Sequence, residues 1–285
     1  MKSIQQQFIP ALALAVVCLF ASACDQNTII TVPGVVGRPL YGVDINGNLL
    51  RFGSMNPGVI ANSYTINGLQ IGESILGIDF RPLDRRLFAL GSMSRIYVID
   101  TLSGAAIQVG PTPFTPLIAG NSFGFDFNPV PDRIRLHSNS GQDLRLNPDT
   151  GALAGTDSML AYTLGDINAG ILPNVSGTAY TNSRPGAITT TLYAIDSNLD
   201  VLTTLPTPNN GQMSTLGTIG VNTSDLLGFD IAGSDSMAYA AFFIGDPSGL
   251  SGLYTINLVT GAATMVGLIG TPGANAPLRA LTIAP

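Results

Sequence analysis

The 285-residue sequence contains no tryptophan, one histidine, two cysteines and only 11% charged residues. Each shortage closes off a class of chemistry. A lone histidine, His137, excludes metal centres built from several imidazoles. The G-x-S-x-G elbow, the H-E-x-x-H zinc motif, the P-loop and the dinucleotide fingerprint are also missing. Without tryptophan, the chain lacks a side chain on which sugar rings commonly stack. Lys and Arg number 12 against 18 Asp and Glu, a net charge of -6, and no basic stripe is visible, so no nucleic-acid partner is expected.

What is abundant is glycine (33), proline (19) and apolar residues (45%). Turns must be frequent and long helices few. So few charges mean that most strands have no wholly solvated face.

Residues 1–23 read as a leader. Lys2 gives a weakly positive start, "FIPALALAVVCLF" (Phe8 to Phe20) is an apolar run too short to span a bilayer comfortably, and "ASAC" (Ala21 to Cys24) carries the small residues of a cleavage site. "ASAC" resembles a bacterial lipobox, with Ala21 where Leu is usual, and makes Cys24 the expected lipidated residue. Ordinary cleavage after Ala23 is the alternative. Cys18 leaves with the leader, so no disulfide can form within the mature chain. Residues 24–38 then form a tether, and residues 39–285 one domain. The expected location is extracytoplasmic, on the bacterial cell envelope, held to a membrane by lipid at Cys24, or secreted if that lipid is absent.

The domain repeats itself with a period of roughly fifty residues. An opening strand recurs as "LGIDF" (Leu76), "FGFDF" (Phe123), "SGTAY" (Ser176), "LGFDI" (Leu227) and "RALTI" (Arg279). A second strand follows each of the first four. A third strand and a glycine hairpin complete the clearest copies, as in "IYVIDTLSGAAIQVG", "DLRLNPDTGAL" and "LYTINLVTGAATMVG". The fifth start has no continuation, whereas the domain begins with a second strand, "PLYGVD". The two ends complete one another. This pattern predicts an all-β, five-bladed β-propeller of four-stranded blades, closed by pairing of the terminal strands, with the copy around Pro206 to Gly211 the least regular. A membrane β-barrel would need longer alternating strands and aromatic girdles.

The segments "FGFDFNPVPDRIRLHSNSGQDLRLNPDTGAL", "LAYTLGDINAGILPNVSGTAYTNS" and "TLYAIDSNLD" resemble the bacterial domain-of-unknown-function family 4394. That resemblance implies a secreted or surface protein and carries over no activity. His137 stands where the family usually has an apolar residue, and a lone strand histidine is more often packed than catalytic.

Asp79, Asp126 and Asp230 occupy the same place in three opening strands, with Ala179 and Thr282 at the aligned positions. Carboxylates converging on a central channel could hold a cation or another ligand, or act as acid and base on a glycosidic bond. Alternatively, each locks its own blade corner, as in "DFRPLDRR". The D-x-N spacing at Asp44 and Asn46, at Asp166 and Asn168, and at Asp196, Asn198 and Asp200 suits calcium in part, but no glutamate stands where a full loop needs one. No cofactor is expected, calcium being the one candidate. The leading reading is a noncatalytic, monomeric binding or scaffold module for an unknown protein or glycan partner, and the alternative is a carbohydrate-active hydrolase using the inner-strand aspartates.

Overall fold

A computed structural model describes residues 34–285. The leader, Cys24 and the first part of the expected tether lie outside the described residues.

The chain opens with β1 (Pro39–Asp44), β2 (Asn48–Gly53) and β3 (Asn56–Thr65). The first complete blade is β4 (Ile75–Phe80), β5 (Leu87–Gly91), β6 (Arg95–Ile99) and β7 (Ala106–Val109). The second is β8 (Phe123–Asn128), β9 (Arg133–Ser138), β10 (Asp143–Leu146) and β11 (Leu153–Thr156). After a two-residue strand β12 (Ala161–Tyr162) comes the third, β13 (Val175–Tyr180), β14 (Leu192–Asp196), β15 (Val201–Leu205) and β16 (Gln212–Thr218). The fourth is β17 (Leu227–Ile231), β18 (Ala238–Phe242), β19 (Gly252–Ile256) and β20 (Ala263–Leu268). Finally, β21 (Leu278–Ile283) pairs antiparallel with β1, giving the order β21-β1-β2-β3 and a fifth blade drawn from both ends of the domain.

The fold is therefore the expected five-bladed propeller, and β4, β8, β13, β17 and β21 ring its centre. The third blade differs by one feature. β12 adds to its outer edge, parallel to β16, and a short 3-10 turn at Pro208–Asn210 replaces the tight hairpin. In the regular blades Gly104, Gly151 and Gly261 close the outer hairpin at φ 75°, 67° and 83°. Asp100, Asn147 and Asn257 brace that turn, each side chain accepting the N–H two residues on at 2.8, 2.8 and 2.9 Å.

The core lies between blades. Leu40, Phe52 and Leu281 pack on Tyr239 and Leu253, while Phe88 and Leu90 pack on Phe125 and Phe127. Since each sheet is covered on both faces, "LFALG" of β5 is buried at every position, and alternation is lost as the low charge content implies. The interface between the second and third blades is instead partly polar. Arg135, 2% exposed, bonds Asp143 at 2.6 Å, Asn209 at 2.8 Å and the Tyr180 hydroxyl at 3.2 Å.

One element of the repeat escapes the motif reading. Two residues before each aligned aspartate position stand Gly77, Gly124, Gly177 and Gly228, with Ala280 in β21. A Cβ on Gly77 would sit 2.6 Å from the Phe125 Cβ, and one on Gly228 would sit 2.5 Å from the Leu281 Cβ. The inner strands approach so closely that a methyl group has no room. Gly228→Ala is expected to cost about 1–3 kcal/mol through overpacking. Gly58→Ala, whose added Cβ would have its nearest neighbours at 3.8 Å, should change stability by less than about 0.5 kcal/mol. Urea unfolding of both variants checks this, and equal midpoints would refute it.

Candidate functional site

Asp79, Asp126 and Asp230 meet at one end of the central channel. All three are buried, and one carboxylate oxygen from each lies within 4.8 Å of the others. The backbone groups they hold belong mainly to the neighbouring blade. Asp79 accepts the Phe127 N–H of β8 at 2.8 Å, Asp126 the Tyr180 N–H of β13 at 2.9 Å, and Asp230 the Ile283 N–H of β21 at 2.6 Å. Each carboxylate therefore staples its inner strand to the next one round the ring.

Five aligned positions supply three such staples, and the remaining backbone donors show how the gap is covered. Ala179 and Thr282 cannot serve the following strand in this way. At those two steps the next aspartate turns back on its own chain, Asp230 accepting the Ile231 N–H at 2.6 Å and Asp79 the Phe80 N–H at 2.7 Å. All five inner-strand N–H groups that follow the aligned position are thus paired, as buried donors require.

Thr282 Oγ1 lies 2.9 Å from both Asp79 Oδ1 and Asp230 Oδ2. A hydroxyl has one proton to give, so satisfying both contacts requires a carboxylic acid proton on one side. Burial, then the charge of Asp230, pushes the Asp79 carboxyl well above its ordinary range. Burial, then Asp79 and Asp230, does the same to Asp126, and burial raises Asp230 to about 6. A hard cation prefers six to eight oxygen ligands, whereas Asp79 and Asp230 already use both oxygens on N–H and hydroxyl partners. A shared proton suits this donor set better.

Above Asp79 and Asp230 opens a basin of about 220 Å³. Phe80, Ile231, Ile283 and Pro285 contribute apolar wall, and Arg38, Arg85 and Arg184 contribute guanidinium groups. Arg38 is committed to Asp235 at 2.7 Å and Ser234 at 3.1 Å. Among the described residues, Arg85 and Arg184 make no side-chain hydrogen bond or ion pair, and both are exposed. The basin is blind, since the channel beyond is lined by Gly77, Phe125 and their counterparts and has only about 10 Å³ of free space. Arg85 stands in the "DFRPLDRR" turn close after Asp79, where nothing in the local pattern marks it, and Arg184 comes beside Asp79 and Asp230 only in the closed ring.

The D-x-N residues do not join this site. Asp44 accepts the N–H groups of Asn46 and Asn48 at 2.9 and 2.8 Å. Asp166 accepts the N–H groups of Asn168 at 2.9 Å and Thr215 at 2.7 Å. Asp196 accepts the Asn198 N–H at 3.0 Å and the Tyr162 hydroxyl at 2.8 Å, and Asp200 accepts the Thr223 N–H at 2.7 Å. These carboxylates brace turns and neighbouring loops. His137 is fully buried, its Nδ1 2.8 Å from Thr178 Oγ1 and its Nε2 3.4 Å from Asp143. Burial raises the Asp143 carboxyl, but His137 and Arg135 outweigh it and hold that group below the usual range.

The family described as "Domain of unknown function (DUF4394)" matches residues 48–282. The chain belongs to this family. The DUF4394 match contains all three aspartates and Thr282, and it begins only at β2, leaving β1 outside. None of the curated proteins matches the chain. Among solved structures, a chain of a nidogen/laminin complex is 13% identical with a TM-score of 0.50, over 87% of this chain and 99% of that one. An auxiliary nutrient binding protein from Bacteroides ovatus ATCC 8483 is 13% identical with a TM-score of 0.43, over 70% of this chain and 55% of that one. Glutaminyl cyclase from Myxococcus xanthus is 11% identical with a TM-score of 0.46, over 70% of this chain and 88% of that one. At such identities the likeness is one of fold alone.

Proposed function

We propose that this DUF4394 protein is a noncatalytic, extracytoplasmic lipoprotein, anchored through Cys24, whose propeller is a binding module with its ligand site at the aspartate mouth of the channel. The observation that carries this reading is the blind basin itself, apolar-walled and lined by Arg85 and Arg184, whose side chains have no internal partner among the described residues. The location rests on the leader and the "ASAC" sequence.

One observation favours the alternative of a carbohydrate-active hydrolase: Asp79 and Asp230 line the same basin. Their hydrogen bonds weigh against it. A glycosidase needs two carboxyl groups facing each other across a cleft with room for the sugar, whereas Asp79 and Asp230 are bridged by the one Thr282 hydroxyl on the floor of the basin and each is tied to strand N–H groups.

Thermal-shift screening of small metabolites, peptides and oligosaccharides tests the binding reading, with Pro285→Trp filling the basin from the chain end. Ligands should raise the melting temperature of the parent and lose that effect in Pro285→Trp. A shift that survives the blockage, or turnover of the ligand, would overturn the reading. Cys24→Ser should move the protein from the membrane to the soluble extracytoplasmic fraction, and an unmodified N-terminal mass in the parent would refute the anchor.

A further inference from the structure

We propose that the basin takes a small zwitterion, its ammonium group directed to Asp79 and Asp230, its carboxylate to Arg85 and Arg184, and its apolar body against Phe80 and Ile231. This rests on the mouth being the ligand site and names the class of molecule that it selects.

Acceptors and guanidinium groups occupy different parts of this one cavity. The floor carries carboxyl oxygens, and Asp79 Oδ2 and Asp230 Oδ1 each accept a single N–H, leaving further acceptor capacity on both. The rim carries the opposite sign. Arg38 is neutralised by Asp235, but Arg85 and Arg184 have no carboxylate of their own among the described residues, although Arg81 and Arg86 close by are paired with Asp132 and Asp84. A simple anion would satisfy the rim and leave the free acceptors of the floor unpaired, while a simple cation would do the reverse. A molecule bearing both charges meets neither penalty. The rest of the lining, apart from Ser183 and Ser234, is apolar, which suits a compact apolar body and offers a polyhydroxylated one few partners. At about 220 Å³ the cavity has the scale of a small metabolite.

Three probes share one branched aliphatic body: L-leucine with both charges, 4-methylpentanoate with the carboxylate alone, and 3-methylbutylamine with the ammonium alone. Calorimetry at neutral pH is expected to show L-leucine binding roughly ten-fold or more tightly than either analogue, the effect of one charge-assisted contact. The double variant Arg85→Ala and Arg184→Ala alters exposed side chains, so its melting temperature should be unchanged. Its preference for L-leucine over 3-methylbutylamine should vanish. Equal binding of L-leucine and either analogue by the parent overturns the zwitterion assignment, as does an undiminished preference in the double variant. Absence of binding by L-leucine, L-valine, L-methionine and L-phenylalanine at millimolar concentration also overturns it. If the screen then finds another class of ligand that Pro285→Trp excludes, the binding-module reading stands without the zwitterion. If it finds none, both fall.

Discussion

Truncation at Pro277, which removes β21, is expected to abolish folding. β21 supplies the inner strand of the closing blade, pairing with β1 from Leu40↔Ile283 to Asp44↔Leu278. Leu278, Leu281 and Ile283 are 1%, 2% and 7% exposed. Losing a buried leucine or isoleucine costs about 2–5 kcal/mol, so three of them approach the whole stability of a typical domain, about 5–15 kcal/mol. The ladder with β1 disappears as well, and Asp230 loses the Ile283 N–H and Thr282, leaving an open edge on β1. The truncated chain should accumulate as insoluble protein without a cooperative melt. Leu281→Ala, a milder injury at the same seam, should stay folded and lose about 2–5 kcal/mol in urea. A truncated chain melting at the parent temperature would refute closure through the termini.

A second large effect should appear in the pH dependence of stability. Asp79, Asp126 and Asp230 have raised carboxyl pKa values in the folded state. Above the unfolded value of 3.8 the native chain therefore binds more protons than the unfolded one, and stability falls as pH rises through the folded values, for Asp230 up to about 6. This runs opposite to ordinary acid unfolding, to which Asp84, Asp143 and Asp166, all held below the usual range, contribute as pH falls below about 4. Asp126→Asn retains an acceptor for the Tyr180 N–H while removing a charge. It should gain stability relative to the parent as pH rises from about 4 to about 7. Asp126→Ala leaves that buried N–H unpaired and should be less stable than Asp126→Asn by about 1–3 kcal/mol. Urea melts across this range decide the matter. A parent and an Asp126→Asn variant with parallel pH profiles would show that the cluster carries no shared proton.

The blade count, the hairpin glycines and the closure by β21 and β1 could all be read along the chain, because each is a local pattern. A strand shows itself by a few apolar residues, a turn by Asp or Asn followed by Gly, and a missing first strand by its presence at the other end. The aligned aspartates were equally visible, yet their partners were not. The expected corner lock within one blade proved to be a staple between neighbours, since Asp126 accepts an N–H 54 residues away. Thr282 reaches Asp79 across 203 residues and Asp230 across 52, and only a closed ring brings those three together. The same holds for Gly228, whose need to be small is set by Leu281 of the next inner strand. It holds too for Arg184, an ordinary surface arginine by local sequence that overlooks the carboxylates once five blades are arranged around one axis. Local chain chemistry specifies strands and turns. Charge, burial and the sharing of protons depend on which atoms come within a few ångströms, and that distance is set by the ring as a whole.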